Sequence, residues 1–148
     1  MDNIDRQIIE ILCADGRITM KDLASRLSLS APAVAERVKR LEQGGIITSY
    51  KAIVDRTKLG QHVSVFINLD IPARKYDEFK VFADETNEIT EFYYVTGQHS
   101  LIVKAYVRDT EHLAKLLEKI QMFGSTETYV VMYSNIKNDT FSTKTAEL

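Results

Sequence analysis

The residues best placed to do chemistry lie in the stretch SLSAPAVAERVKRLEQGGII, residues 28–47. Counted as a helix at about 100° per residue, Val34, Val38 and Leu41 share one apolar side. Pro32, Ala33, Glu36, Lys39, Arg40 and Gln43 fall on the other. A helix that enters a DNA major groove needs this arrangement. Small residues at its leading end let it approach base edges, and proline costs little in a first turn. Lys39 and Arg40 can reach phosphates, and the helix N-terminus can hold one on backbone N–H groups. The same charges also describe an ordinary solvated face, so the pattern alone does not decide. Arg37 flanks the stripe, where it can pair with Glu42 or a linker acid as readily as it meets DNA. Glu36 either reads a cytosine amino group or only repels phosphate. The candidate DNA-contacting set is Lys21, Ser30, Ala31, Pro32, Ala33, Glu36, Arg37, Lys39 and Arg40.

Other chemistry is thin. His62, His99 and His112 lack metal-ligand spacing and read as surface histidines. The sequence contains no phosphate loop, no Gly-rich dinucleotide turn and no nucleophile motif. No catalytic residue, metal or cofactor is therefore expected. The single cysteine, Cys13, excludes an internal disulfide and fits a reducing compartment. It is read as a small buried hydrophobe on the apolar side of its helix. The N-terminus MDNIDRQ is acidic and polar, and no apolar run approaches the roughly 18 residues of a membrane span. A cytoplasmic protein without a membrane partner is expected.

The elements that must position these residues follow from periodicity. The chain has 148 residues, 45% hydrophobic and 27% charged, which is globular rather than disordered. Its net charge of −2 does not advertise a polyanion partner, but the halves differ. Residues 1–60 carry ten Lys/Arg against eight Asp/Glu, and residues 61–148 carry nine against thirteen. Ile4, Ile8, Ile11 and Leu12 stripe a first helix, closed at Gly16. Thr19 caps a second, with Asp22 completing a capping box, and Ser30 caps the third, which ends at Gly44-Gly45. Three short helices with a tight turn between the second and third make a helix-turn-helix. IITSYKAIVD then reads as a hinge strand, and RTKLG as a linker. The remainder predicts strand Val63–Ile71, helix Lys75–Asn87, strand Ile89–Val95, a turn at Gly97, strand Leu101–Val107, helix Thr110–Met122 capped by Asp109, and strand Thr128–Ile136. That order, βαββαβ, is ferredoxin-like.

The expected domains are 1–48 for the helices, 49–60 for hinge and linker, 61–137 for the βαββαβ unit and 138–148 for a polar tail. Alternation along 63–70, with aromatics in FYYV and TYVVMY, leaves an apolar second sheet face. A second copy is the natural cover, so a homodimer is expected.

At this point LSAPAVAERVKRLEQGGII…YKAIVDRTKLG resembles the signature of the Lrp/AsnC family of bacterial and archaeal transcription regulators, the feast/famine regulatory proteins. Leu29, Ser30, Val34, Arg37, Val38, Leu41, Glu42, Gly45 and Ile47 match it in spacing, and the element order matches over essentially the whole chain. The resemblance implies an α+β protein with an N-terminal winged helix-turn-helix that binds double-stranded operator DNA. It implies dimers that assemble into octamers, and a small-molecule effector, commonly an amino acid, bound near the turn of VTGQHSLIV. Thr96, Gly97, Gln98, His99, Ser100, Thr126 and Thr128 are the candidate effector residues. Many members follow the glycine with an acid; this chain has Gln98, His99 and Ser100, a polar uncharged lining. Enzymes that decarboxylate siroheme-type tetrapyrroles share this architecture, as would a ligand-binding module without DNA function. Such an enzyme needs basic side chains around an acidic substrate, and the C-terminal half is net acidic.

Overall fold

The computed structural model describes residues 1–134, which fall into two compact units, Met1–Ile53 and Val54–Ser134. The first holds α1 (Asn3–Ala14), α2 (Met20–Leu27) and α3 (Ala31–Gln43). Each helix begins on a side chain that satisfies an orphan N–H. At α1 the box is complete: Asp5 N–H donates to Asp2 at 2.8 Å and Asp2 N–H donates back to Asp5 at 3.0 Å. At α2, Thr19 accepts from Asp22 N–H at 3.1 Å, but the Asp22 carboxylate takes the Thr19 hydroxyl instead of its backbone. Ser30 accepts from Ala33 N–H at the head of α3.

Ser28, at φ 56°, makes the left-handed turn between α2 and α3, and Gly45, at φ 69°, follows the end of α3. The enclosed core is Ile8, Leu12, Ile18, Leu23, Ala24, Val34, Val38 and Leu41. Non-directional burial of these side chains supplies most of the association between the helices.

Two expectations fail in this unit. Cys13 is exposed, not buried. It follows Leu12 by one residue, about 100° further round the helix, which carries it off the stripe. The hinge strand is also absent. Residues 48–54 have no regular structure and no backbone hydrogen bond to another described residue. A strand exists only as part of a ladder, and the described chain offers this β-rich segment none. The three helices consequently carry no β wing among the described residues.

The second unit opens with a 3₁₀ turn, Arg56–Leu59. It continues β1 (Val63–Asp70), α4 (Tyr76–Glu85), β2 (Ile89–Tyr94), β3 (Leu101–Val107), α5 (Thr110–Gln121) and β4 (Ser125–Val130). The strands form one antiparallel sheet in the order β2-β3-β1-β4, the ferredoxin-like arrangement. Val65, Ile67 and Leu69 of β1 and Leu101, Val103, Ala105 and Val107 of β3 point to the helices, where Phe79, Ala83, Leu113, Leu116 and Ile120 meet them. Asp109 caps α5, accepting from His112 N–H at 2.8 Å.

β1, β2 and α5 each end one residue short of their expected bounds, and two elements depart further. The helix expected from Lys75 starts at Tyr76, after a 3₁₀ turn over Ala73–Lys75, and stops at Glu85, where the Thr86 hydroxyl donates to the Phe82 carbonyl. The strand expected over Thr128–Ile136 starts at Ser125, because it pairs with β1 from Asp70↔Ser125 onward. It also ends at Val130, short of the expected Ile136: residues 131–134 are described and form no strand, although Val131 N–H still donates to the Ser64 carbonyl at 2.9 Å. Residues 135–136 and the tail 138–148 lie outside the described residues.

Candidate nucleic-acid interface and effector turn

α3 presents its outer side free. Pro32, Ala33, Glu36, Lys39, Arg40 and Gln43 are exposed, as is Lys21 on α2. Lys39, Arg40 and Lys21 make no ion pair within 4.0 Å among the described residues. Ser30 is committed to its cap, and Ala31 is half-buried. Ala35, absent from the expected set, is exposed too; the run of small residues around Pro32 was its signal.

Arg37 stands apart. Its guanidinium donates to Asp2 at 2.6 Å and to Asp5 at 2.8 Å, across 35 and 32 residues of sequence. The expected partner Glu42 is out of reach for a geometric reason: five positions along a helix turn by about 140°, which puts the two side chains on different flanks. Glu42 instead accepts from the Tyr50 hydroxyl at 2.9 Å. Both flanks of α3 are thereby tied down, and the outward face lies between the ties. The electrostatics agree. The Asp5 backbone N–H, then Arg37, hold the Asp2 carboxyl below its ordinary range. Burial would raise Asp5, but the Asp2 N–H and Arg37 outweigh it and leave it lowered; the two carboxylates in turn raise Arg37. Burial, then the bond to Glu42, push the Tyr50 phenol up to about 12. The acidic pair was legible: Asp2-x-x-Asp5 ahead of an apolar stripe is a capping signature, and sequence reasoning passed over it.

The candidate effector residues do not form one cluster. Thr96, Gly97 and Gln98 are exposed, and Gly97 has φ 131°, a conformation open to glycine. Val95 N–H closes the turn on the Ser100 carbonyl at 3.1 Å. The Ser100 hydroxyl is consumed by β1, accepting from Ile71 N–H at 2.9 Å and donating to the Leu69 carbonyl at 3.1 Å. Thr126 and Thr128 sit opposite Leu69 and Ile67, so they share the helix-facing side of the sheet. His99 belongs to the other side, where its Nδ1 lies 3.2 Å from Asp70 and its Nε2 3.2 Å from Glu127. The expected uncharged lining is thus incomplete: neighbouring strands bring two carboxylates to the turn.

No cluster of three or more His, Cys, Asp or Glu among the described residues is arranged to hold a metal, and no described helix is long and apolar enough to cross a membrane. The outer sheet face carries exposed Phe66, Tyr93 and Tyr129 and half-buried Ile102 and Tyr106, but Lys104 stands opposite Phe66 and pairs with Glu91 at 3.1 Å, and Asn68 stands opposite Ile102, so the face expected to be apolar is mixed. The Arg56 guanidinium lies 4.6 Å above the Tyr106 ring.

Comparison with known proteins adds the following. Residues 1–48 match a family model described as winged helix-turn-helix DNA-binding, and residues 64–141 match one described as the Lrp/AsnC ligand binding domain. The HTH-type transcriptional regulator FL11 of Pyrococcus furiosus is 34% identical over 86% of this chain and 82% of its own. The solved structure of Bacillus subtilis LrpC superposes with a TM-score of 0.87 at 32% identity, covering 92% of this chain and 97% of that one. The transcriptional regulator NMB0573 of Neisseria meningitidis, solved as a complex with L-Met, superposes with a TM-score of 0.89 over 95% of each chain. At 20% identity that likeness speaks to the fold alone.

Proposed function

Because the chain belongs to the Lrp/AsnC family of DNA-binding transcriptional regulators, we propose that α3 reads operator DNA and that the sheet unit assembles the protein and senses a small molecule. The observation that carries the DNA assignment is the outward face of α3. Its leading end is small, Lys39 and Arg40 make no ion pair among the described residues, and both flanks are occupied by intramolecular bonds. Ala33 and Glu36 then face base edges, while Lys39, Arg40 and Lys21 meet phosphates. The relatives are transcription regulators rather than enzymes, and no gathering of basic side chains in the second unit favours a tetrapyrrole substrate. A cytoplasmic location accords with this role.

Two copies joined through the outer sheet face present two α3 helices, so the operator is two-fold symmetric with half-sites a helical turn or a multiple apart. Larger even-numbered assemblies, an octamer among them, build on that dimer. The effector is a small molecule with an ammonium group, an amino acid being the simplest. Exposed N–H groups around Gly97 suit its carboxylate. Asp70 and Glu127 beside His99 suit its amine. A fold neighbour holding L-Met supports this class of ligand.

The test is selection from a random duplex library, followed by binding of the enriched sequence at two salt concentrations with and without each amino acid. A two-fold symmetric winner, bound more tightly than random duplex, is expected. A library that shows no enrichment removes the DNA assignment, and unchanged affinity and mass with every amino acid removes the effector class.

A further inference from the structure

The ties on α3 carry a second consequence, which rests on the DNA-reading assignment above. Packing between α1 and α3 runs through Ile8, Leu12, Val34, Val38 and Leu41. Such contacts are non-directional and leave the rotation of one helix against the other weakly defined. The guanidinium of Arg37 is different. Its Nη1 alone donates to both carboxylates, 2.6 Å to Asp2 and 2.8 Å to Asp5, so directional, charge-assisted bonds from two positions at the start of α1 converge on one point of α3. Asp5 is the one buried charged residue among those described, and its carboxylate accepts from the Asp2 N–H at 3.0 Å. Asp2 accepts in return from the Asp5 N–H at 2.8 Å. Arg37 therefore meets an acceptor pair already tied together by the capping box. Along α3 it stands one turn from both Ala33 and Arg40, so its position sets where the leading edge and the phosphate-facing flank point.

We infer that Arg37 is a positioning residue and not a phosphate contact: its bonds to Asp2 and Asp5 fix the rotation of α3 against the start of α1. Geometry at the site argues the same way: the Arg37 side chain is only 24% exposed, and its Nη1 is already committed to both carboxylates. A phosphate contact and a rotational anchor also respond oppositely to chemistry. Removing an acid from a DNA-binding surface strengthens DNA binding on charge alone, whereas removing half of an anchor weakens sequence reading.

The experiment uses the full chain, the selected operator and a random duplex across a salt series, each variant held below its unfolding transition by circular dichroism. Arg37→Ala and Asp5→Asn are each expected to weaken operator binding about fivefold or more, the scale of a disturbed base contact. Random duplex should change less than twofold, and the salt slope should stay put. The double variant should be no weaker than the worse single one, because both remove the same anchor. If Asp5→Asn tightens binding to both duplexes, or Arg37→Ala flattens the slope by about one unit per subunit, the positioning role is overturned. A wild type that prefers no duplex removes the DNA-reading assignment itself, and this inference with it.

Discussion

Lys39 and Arg40 differ from Arg37 in one respect: among the described residues they make no ion pair. An unpaired cation on an exposed helix flank attracts a phosphate and releases a counterion on contact. Lys39→Ala or Arg40→Ala is expected to lower operator and random-duplex affinity together and to reduce the salt slope by about one unit per lost contact in each bound subunit. Glu36 lies nearer the leading edge. Glu36→Ala should alter preference at one symmetric pair of operator positions by roughly 1–3 kcal/mol, or change little, with the slope nearly constant. Fluorescence anisotropy on both duplexes checks this, and cation variants with wild-type affinity for random DNA would misplace the flank. Acid offers a separate check on Arg37. Both of its carboxylates are held below their ordinary range, so the folded chain binds fewer protons there than the unfolded chain. Their contribution to stability is complete above the unfolded value, near 3.9, and is lost as pH falls through the folded values. The gap in thermal midpoint between wild type and Arg37→Ala should therefore be constant at neutral pH and close below about pH 4. A gap that persists at pH 2 would assign the effect of Arg37 to packing of its stem.

At the level of elements, local signals set the order and long-range contacts set the bounds. Apolar stripes, caps at Thr19, Ser30 and Asp109, and β-branched runs were enough to read three helices and a βαββαβ order, because each signal is confined to a few neighbouring residues. The start of β4 was not legible. It is fixed by pairing with β1, 55 residues upstream at Asp70↔Ser125, and by Gly124. A Cβ built on Gly124 would stand 1.8 Å from the Asp70 carbonyl oxygen, so no side chain fits without moving the backbone. Nothing in the sequence around Gly124 marks it apart from an ordinary turn glycine. The carboxylates beside His99 were hidden for the same reason, since Asp70 and Glu127 reach the turn only through strand register. The capping role of Asp2 and Asp5 was legible and missed. Gly124→Ala is expected to cost roughly 1–3 kcal/mol or more through forced backbone displacement. Gly45→Ala has open space and only its φ of 69° to bear, which costs roughly 1–2 kcal/mol. Chemical denaturation of the two variants compares them, and equal midpoints would show that β1 and β4 part easily at that end.

For the whole molecule, the two parts of the sequence differ in charge. Residues 1–60 carry ten basic side chains against eight acidic ones, while residues 61–148 carry nine against thirteen. The sheet has one face covered by α4 and α5, and no other described element covers the second. Phe66 stands on a central strand of that second face, with Tyr129 opposite it on β4 and Tyr93 exposed on β2. The row through Phe66 and Tyr129 continues into the Lys104–Glu91 ion pair, and Tyr93 lies in the next row beside Ile102; exposed aromatics around a central ion pair suit a second copy related by a two-fold axis. Residues 61–148 expressed alone should therefore form a folded dimer with no affinity for operator or random duplex, by light scattering and anisotropy. Phe66→Asp in the same fragment should keep the fold, since the side chain points away from the core, but bury a charge in any face-to-face pair and shift the mass to a monomer. A fragment that is monomeric at micromolar concentration before the substitution would place self-association elsewhere, and the unpaired segment 48–54 beside the apolar Ile9–Leu12–Tyr50–Ile53 cleft of about 700 Å³ would become the surface to test. A Phe66→Asp fragment that stays dimeric would acquit the sheet face even if the fragment self-associates.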